Sequence, residues 1–360
     1  MFKFLNRFRK MKGTGANIDT RTPDEIKKDY RFEEIVATVN PVNWVEKNKD
    51  EWRSFPITSQ NGSGSCVAFT LAKLMSVMYW VKQQGKMKNY IEFSPCHIYK
   101  RRKNKPSAGM NGTDAFDIAR KGVTLEELVP SQEMTDAELD STEIPEHKEE
   151  VGKIFKISNY VIVPAGDIDT IASVMQTTGK AIMLWFFFKR DEWTNHPKVK
   201  DYSLSVTSPG VSRHSVAGVD YCLVDGKKSI IIEDSWGTSY GIAGQRVIDE
   251  DFFKTRNWFA AYPMNFAFDE ETTPPVHYTF TKQMSFGDNN QEVVQLQKVL
   301  QHEGFFPSNV NTTGFYGGIT SKALLAWQIK HEVASMDELQ SLQGRVCGPK
   351  TILALNKLYG

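Results

Sequence analysis

Cysteine is scarce in this chain, which has four among its 360 residues. Three of them, Cys96, Cys222 and Cys347, have no spacing of the kind that marks a disulfide framework. Few cysteines without a pairing pattern are typical of a protein made in a reducing compartment. We therefore expect Cys96 and Cys222 to be buried core residues rather than partners in a bridge.

Long apolar runs and an excess of either charge are also missing. The longest apolar run, Val67 to Val81, is short for a membrane span and contains Lys73. The first residues, MFKFLNRFRKMKG, are basic but have no uninterrupted apolar segment, so they make a poor signal peptide. A formal net charge of +1 gives no general attraction to nucleic acid. These absences predict no membrane span, no nucleic-acid partner and synthesis in the cytoplasm.

The length of the chain predicts more than one domain, because a single hydrophobic core rarely exceeds about 250–300 residues. With 40% hydrophobic and 24% charged residues, the composition is that of a globular protein. An acidic, proline-containing stretch, DEETTPP, marks a linker. We expect an N-terminal arm at 1–40, a first domain at 41–268, a linker at 269–277 and a second domain at 278–360.

The strongest chemical signal is the segment QNGSGSC, which runs from Gln60 to Cys66 and leads directly into the long apolar run. It places a thiol at a predicted helix start, where the partial positive charge of the helix favours a thiolate. Gly62 and Gly64 permit a tight backbone that brings the Gln60 amide and the Cys66 backbone N–H toward one point. The segment therefore predicts a nucleophile beside an oxyanion hole. A buried, unreactive cysteine after a polar loop is the alternative.

Two later segments favour the nucleophile. His214 opens an apolar stretch that is typical of a strand, and Asp234 follows a second strand rich in β-branched residues. A neutral imidazole can take the proton of a thiol and return it to a leaving amine, when a third group holds the ring in place. The candidate catalytic residues are therefore Cys66, His214 and Asp234, with Gln60 as oxyanion donor. No metal or other cofactor is expected.

These residues resemble the papain-like cysteine peptidases, and they occur in the order that the family has along its chain. The matching parts are Gln60 with Gly-Ser-Cys at 64–66, His214 with its small and apolar followers, and Ser-Trp-Gly-Thr at 235–238. The resemblance implies an α+β, two-lobed fold with a helical lobe, a β-rich lobe and a substrate cleft between them. It also implies that Cys66 is the nucleophile, that His214 is the general base and acid, and that Trp236 covers the partner of the histidine.

The sequence departs from that family at several positions. Asp234 stands where the family normally has asparagine; a carboxylate can still accept the imidazole N–H, and it also favours the imidazolium. In the alternative interpretation, Asp234 is a solvated loop residue and the site is impaired. Ser63 and Met110 occupy the two positions of a family disulfide, so that bridge is absent. Val67 replaces a common tryptophan, and Thr113 stands where a glycine often lines the substrate groove.

The resemblance implies a set of substrate-binding residues around the cleft. They are Gly64, Ser65, Gly109, Asn111, Gly112, Thr113, Arg213 and Trp236. Papain-like enzymes often carry an inhibitory N-terminal segment, but residues 1–40 are short for a folded prodomain and have at most one short helix, near Pro23 to Lys28. We expect this arm to be able to cross the cleft as a strap.

The pattern changes after the linker, where apolar stripes indicate helices and a motif repeats after 31 residues. One helical stripe comprises Val293, Leu296, Val299 and Leu300, and another comprises Ala323, Leu324, Trp327 and Ile329. The two copies of the motif are Gly317-x-x-Thr320-x-x-Ala323-Leu324 and Gly348-x-x-Thr351-x-x-Ala354-Leu355. In each copy the glycine is expected to support a turn and the threonine to cap a helix.

This region resembles the small, all-α three-helix peptidoglycan-binding domain of cell-wall hydrolases. The matching segments are VVQLQKVLQHEGFF, GFYGGITSKALLAWQ and GPKTILAL, although Gly318 stands where that family often has proline. The resemblance implies binding to bacterial peptidoglycan, with Tyr316 and Trp327 as candidate aromatic contacts; a core position is the alternative for both. His302 and His331 have no cysteine or carboxylate partners at ligand spacing, so we expect surface residues rather than zinc ligands.

The sequence predicts a cell-wall-targeted cysteine endopeptidase that acts on a peptide or protein substrate through a thioester, in the manner of a phage-type lysin or virion-associated enzyme. Its site of action is then the bacterial cell wall. One alternative is a compact thiol hydrolase of another fold, although such cores place histidine much nearer to cysteine than positions 214 and 66. The other is a non-catalytic wall-binding or virion structural protein that keeps a peptidase fold.

Overall fold

The structure is a computed structural model that describes residues 15–32, 40–267, 278–307, 310 and 312–360. The predicted linker at 269–277 and residues 1–14 and 33–39 of the arm lie outside the described residues.

The chain divides into two compact units. The first comprises residues 15–22 of the arm together with Asn40–Ile157 and Ile162–Pro263. The second comprises the described parts of Pro23–Val39, Ser158–Val161 and Met264–Gly360.

The helices of the described residues are numbered in chain order. They are α1 (Pro23–Ile26), α2 (Cys66–Lys82), α3 (Pro95–Tyr99), α4 (Gly112–Ala119), α5 (Asp136–Ser141), α6 (Glu146–Ile154), α7 (Ile168–Thr178), α8 (Glu250–Arg256), α9 (Gln291–His302), α10 (Gly318–Lys330), α11 (Met336–Leu342) and α12 (Pro349–Tyr359). Short 3-10 turns lie at Lys49–Glu51, Met87–Asn89 and Arg190–Glu192.

The strands are numbered in the same way. They are β1 (Tyr30–Arg31), β2 (Tyr160–Val163), β3 (Ile182–Phe188), β4 (Ser212–Val224), β5 (Lys227–Glu233), β6 (Gln245–Asp249), β7 (Asn257–Pro263), β8 (Met284–Ser285) and β9 (Val346–Cys347).

Helix α2 is the central helix of the first unit. Every residue from Cys66 to Met78 is buried, because the segment is apolar on all sides and a helix of that kind must be covered all round. The prediction of a core helix over Val67 to Val81 is confirmed. Among the helices of the described residues, none has the length and apolarity that a membrane span needs.

Strands of the first unit form an antiparallel sheet in the order β7-β3-β4-β5-β6. All seven residues of β3 are buried, because the strand lies between β7 and β4 in the interior of the sheet. On the neighbouring strand β4, His214 lies opposite Phe186. Helical elements precede strand-rich ones within this unit, so the predicted α+β fold with a helical half and a β-rich half is confirmed.

The second unit is helical in its C-terminal part, as predicted. Besides α9, α10 and α12 it contains the short helix α11, and β8 pairs with β9. The first predicted stripe is buried on α9. Of the second stripe, Ala323, Leu324 and Trp327 are buried on α10, whereas Ile329 is 41% exposed.

The 31-residue repeat has a physical basis in a repeated hydrogen-bond network. Gln297 Nε2 donates to Phe315 O at 2.8 Å and to Thr320 Oγ1 at 3.0 Å. In the second copy, Gln328 Nε2 donates to Val346 O at 3.3 Å and to Thr351 Oγ1 at 2.8 Å. Gln297 thus joins α9 to the start of α10, and Gln328 joins α10 to the start of α12.

The two threonines of the repeat do not cap helices, so that prediction is wrong. Gly317 and Gly348 are the N-cap residues of α10 and α12. Thr320 and Thr351 lie one turn further on, where their hydroxyls accept from the glutamines instead.

Tyr316 and Trp327, the candidate wall-binding aromatics, are core residues instead. Both side chains are 0% exposed. The Tyr316 hydroxyl donates to Gly344 O at 2.8 Å, and Trp327 Nε1 donates to Glu303 Oε1 at 2.9 Å. Their aromatic rings fill the interior between helices, so neither presents a face to a ligand.

All four cysteines are free and buried. The expectation that Cys96 and Cys222 are core residues is therefore confirmed. Burial raises the pKa of the Cys222 thiol to about 12, which keeps it protonated and unreactive at neutral pH.

Candidate active site

Cys66 is the first residue of α2 and is fully buried. A helix N-terminus carries unsatisfied backbone N–H groups and a partial positive charge, which favours negative charge on the sulfur. Ser65 occupies the N-cap position, but its hydroxyl lies 2.5 Å from Ser63 Oγ and makes no capping bond. The first N–H groups of α2 therefore receive no side-chain acceptor from the cap residue.

His214 lies on β4 and is fully buried. Its Nε2 atom is 2.8 Å from Asp234 Oδ1. Its Nδ1 atom has no hydrogen-bond partner among the residues that the structure describes, and the ring interacts electrostatically with Cys66. One ring nitrogen is thus held by the carboxylate, and the other is left to exchange a proton with the thiol.

His214 and Asp234 each stabilise the charged form of the other. Burial by itself would lower the pKa of His214, but the Asp234 carboxylate and Cys66 outweigh it and raise the pKa to about 9. Burial by itself would raise the pKa of Asp234, but His214 and Arg246 outweigh it and lower that pKa. The pair is therefore imidazolium and carboxylate at neutral pH.

Both oxygens of Asp234 are occupied. Oδ2 accepts from Arg246 Nε at 3.0 Å and from Trp193 Nε1 at 3.2 Å. The Trp236 ring stacks on His214 with ring centroids 4.6 Å apart and planes at 24°, and Trp193 meets the same ring edge-on at 6.1 Å. Two indole rings therefore shield the imidazole and its partner from water.

Gln60 is fully buried and tied to the loop that follows Asp234. Its backbone N–H donates to Ser235 O at 2.9 Å, and its Oε1 accepts from Ser235 Oγ at 2.6 Å. Its Nε2 donates to Ser63 O, within the nucleophile loop. The Ser235 hydroxyl donates to Oε1 and so fixes the orientation of the amide. The NH2 group of Gln60 therefore faces the nucleophile loop, as an oxyanion donor requires.

Residues 15–17 of the N-terminal arm lie directly against the nucleophile and are called the strap. Met110 N donates to Gly15 O at 2.8 Å, and Asn17 N donates to Met110 O at 3.1 Å, so Ala16 pairs with Met110 in parallel orientation. A Cβ atom placed on Gly15 would lie 2.7 Å from Cys66 Sγ. The arm therefore crosses the site, and glycine is the residue that fits there.

Three of the predicted substrate-binding residues surround this strap. A Cβ atom on Gly109 would lie 2.8 Å from Asn17 Oδ1, and one on Gly64 would lie 2.7 Å from Gly109 N. Asn111 caps α4, and its side chain also bonds Asp19 of the arm. These residues line the surface on which an extended chain lies.

Gly112 and Thr113 do not line that surface, so their assignment to substrate binding is corrected. Both are buried in the first turn of α4. A Cβ atom on Gly112 would lie 2.8 Å from the Trp185 ring, and Thr113 Oγ1 donates to Asn111 Oδ1 at 2.7 Å. The backbone that pairs with the strap is that of Met110, which precedes α4.

Two residues beside the triad, Arg246 and Trp193, were not predicted from the sequence. Arg246 is a buried charge on β6; burial of a charge indicates an ion pair, but it does not identify the partner. Trp193 follows the charged segment KRDE and gives no comparable signal.

Arg213, predicted to bind substrate, is half-buried beside His214 on β4.

Comparisons with known proteins agree with this geometry. A sequence model described as "Papain family cysteine protease" matches residues 40–253. "Cysteine proteinase 2" of Entamoeba histolytica is 25% identical over 264 residues, which are 67% of this chain and 78% of that protein.

Two solved structures share the fold. Xylellain, a cysteine protease from Xylella fastidiosa, is similar with a TM-score of 0.54 at 17% identity, covering 71% of this chain and 97% of that one. Digestive procathepsin L 3 of the Tenebrio molitor larval midgut has a TM-score of 0.52 at 16% identity, covering 70% and 76%.

Replacement of the nucleophile tests the site directly. We expect Cys66→Ala to reduce hydrolysis of a small soluble peptide to background, because the nucleophile is lost while only a small buried volume changes. The measurement is kcat/KM together with a thermal melt that shows the fold is kept. Cys222→Ala, at another buried free cysteine, is the matched control and should retain activity. Near-wild-type turnover by Cys66→Ala would show that the thiol is not the nucleophile.

The pKa of His214 sets the alkaline limit of activity. Since this pKa is raised to about 9, activity should fall as the pH rises through about 9, when the imidazolium loses its proton. The ion pair of His214 and Asp234 contributes fully to the stability of the fold below pH 6.5. This contribution should be lost as the pH rises from 6.5 through about 9. Asp234→Asn should move the alkaline limb of kcat/KM to lower pH, because a neutral acceptor supports the imidazolium less. An unmoved limb would mean that Asp234 does not act on His214.

A single added methyl group tests whether the strap blocks the site. Gly15→Ala should raise the rate on a small peptide, because its Cβ would lie 2.1 Å from Gly64 O and the strap must leave. Ile18→Ala changes an exposed side chain of the same arm and should leave the rate unchanged. Equal rates for Gly15→Ala and the unmodified protein at all substrate concentrations would show that the strap does not compete with substrate.

Proposed function

Because this chain belongs to the papain family of cysteine proteases, we propose that it is a cysteine endopeptidase targeted to the bacterial cell wall by its second unit. The chain is a cysteine peptidase and hydrolyses peptide bonds. The proposal concerns the place of action and the partner, which is peptidoglycan.

The described residues account for acyl transfer in two steps. The Cys66 thiolate attacks the substrate carbonyl, and the resulting oxyanion is stabilised by Gln60 Nε2 and the Cys66 backbone N–H. The imidazolium of His214 then gives its proton to the leaving amine, and a thioester remains. In the second step His214 takes a proton from water, and the hydroxide releases the acid product.

The observation that carries the wall-binding proposal is the 31-residue repeat in the second unit. Its segments resemble the peptidoglycan-binding domain of cell-wall hydrolases, and the duplicated glutamine–threonine bonds give that repeat a structural counterpart. In this proposal the first unit binds the substrate, and the second unit tethers the enzyme to the wall. Tethering raises the local concentration of an enzyme at a weak substrate.

An exposed surface of the second unit offers suitable chemistry for such a ligand. Phe286 is 43% exposed, and the Arg345 guanidinium lies over its ring at 4.1 Å. The two residues are also joined by the Phe286 N–H, which donates to Arg345 O at 2.8 Å. An aromatic ring beside a fixed cation suits the sugar faces and peptide carboxylates of peptidoglycan.

The proposed substrate is an L-residue peptide at the wall, either a crossbridge or a wall-associated protein. Peptidoglycan stems contain D-residues, which fit poorly in a groove shaped for L-peptides. The proposed setting is a phage-type lysin or a virion-associated enzyme, which acts on the wall of a bacterial host.

A sedimentation assay tests the wall partner. The full chain carrying Cys66→Ala should co-sediment with purified insoluble peptidoglycan, and adding Phe286→Ala should weaken binding by roughly ten-fold, the loss of about 1.4 kcal/mol. Leu358→Ala, at another exposed apolar residue of the same unit, is the matched control and should bind unchanged. If the full chain stays in the supernatant at low salt, wall targeting is wrong, whereas cleavage of a soluble peptide stands independently.

A further inference from the structure

The catalytic cluster contains one more buried charge than a cysteine–histidine pair needs. Asp234 has 1% of its side chain exposed, and His214 has none. Where the family normally has a neutral asparagine, this chain places a carboxylate with almost no contact with water. An uncompensated carboxylate in such a place is costly and would hold the imidazolium proton too strongly.

Arg246 lies where it can cancel that charge. Its Nε donates to Asp234 Oδ2 at 3.0 Å, and only 4% of its side chain is exposed. Its position is fixed by other contacts: Nη1 donates to Thr194 O at 2.8 Å, and the guanidinium lies 5.3 Å from the Trp193 ring and 5.6 Å from the Trp236 ring. The guanidinium is thus held at one oxygen of the carboxylate, while the histidine takes the other.

The charged groups that face His214 come from three elements of the described fold. They are Cys66 at the start of α2, Asp234 after β5 and Arg246 on β6. The preceding residue on β4, Arg213, alternates to the other face of the strand. Glu233, beside Asp234, is separately paired with Lys73 at 2.9 Å, so it adds no net charge.

We propose that Arg246 is a positioning residue whose cation combines with the Asp234 carboxylate into a net-neutral unit that replaces the asparagine of the family. In this arrangement the thiolate and imidazolium form one neutral pair, and Asp234 with Arg246 forms a second. The carboxylate orients His214 through a strong hydrogen bond, and the guanidinium prevents it from making the imidazolium too weak an acid for the leaving amine.

The proposal makes an ordered prediction for charge variants. Asp234→Asn leaves a net extra positive charge beside His214, and Arg246→Met leaves a net extra negative charge. The double variant Asp234→Asn with Arg246→Met is neutral again, as the unmodified protein is. The alkaline limb of kcat/KM on a small soluble peptide should therefore lie lowest in Asp234→Asn, highest in Arg246→Met, and at a similar pH in the double variant and the unmodified protein.

The rate constants should follow the same logic. Arg246→Met should reduce kcat on the order of 100-fold, because a displaced catalytic ring can cost that much, and adding Asp234→Asn should recover a large part of the loss. Trp193→Phe removes a neutral donor to Asp234 Oδ2, so it should lower kcat without moving the alkaline limb.

A purely structural role for Arg246 gives a different pattern. The double variant would then be no better than Arg246→Met, and the alkaline limbs of Asp234→Asn and the double variant would coincide; either result overturns the proposal. If Arg246→Met does not fold, the comparison of Asp234→Asn with the double variant decides alone, because neither leaves a buried carboxylate unpaired. An NMR titration of the His214 imidazole gives the same order of pKa values without turnover.

Discussion

The packing of helix α2 against strand β4 is the constraint on which the peptidase site depends, because Cys66 lies on the helix and His214 on the strand. Ser215, the residue after the histidine, donates to Thr70 Oγ1 on the helix at 3.0 Å. One turn further along α2, Lys73 pairs with Glu233, the residue before Asp234. A slip of either element by one residue would break a buried ion pair, which costs about 3–5 kcal/mol. The relative position of nucleophile and base is therefore fixed by contacts outside the reacting groups.

Buried ion pairs recur next to the reacting residues. Glu192 and Arg256 are paired at 2.7 Å with no side-chain exposure, and Glu192 directly precedes Trp193, which donates to Asp234. Like the Lys73–Glu233 pair, this one adjoins a site residue in sequence. Such pairs add little net stability compared with apolar packing, but they are costly to separate. They therefore act by fixing the positions of neighbouring side chains, and a site with several charges in a dry interior needs that precision.

The sequence predicted what local patterns determine and missed what depends on distant contacts. Cys66 at a helix start and His214 on a strand follow from runs of residue types. The mistaken groove assignment at Thr113 shows the limit, since one turn of helix moves a residue from a surface to the interior. Nothing local indicates that Arg246, twelve residues after Asp234, donates to the carboxylate oxygen that His214 does not contact.

The second unit shows a related limit. A repeated motif predicted repeated helix starts, and these are present at Gly317 and Gly348. The predicted role of the threonines was wrong because their partners, Gln297 and Gln328, lie on earlier helices, α9 and α10. The position of an aromatic residue near a polar loop also did not predict whether its side chain is exposed. The rings of Tyr316 and Trp327 fill the interior, while their polar atoms donate to Gly344 and Glu303.

The geometry of the strap explains how a peptide can lie against an active nucleophile without presenting its Gly15 carbonyl for attack. Attack on a carbonyl requires its oxygen to reach the oxyanion donors, which we propose are the Gln60 amide and the Cys66 N–H. The Gly15 oxygen instead accepts from Met110 N at 2.8 Å, on the groove side. Its carbonyl oxygen is therefore engaged by Met110, while a Cβ atom added to the same residue would lie 2.7 Å from Cys66 Sγ. The absence of a side chain brings the strap close to the nucleophile, and the hydrogen bond to Met110 keeps it out of the reactive orientation.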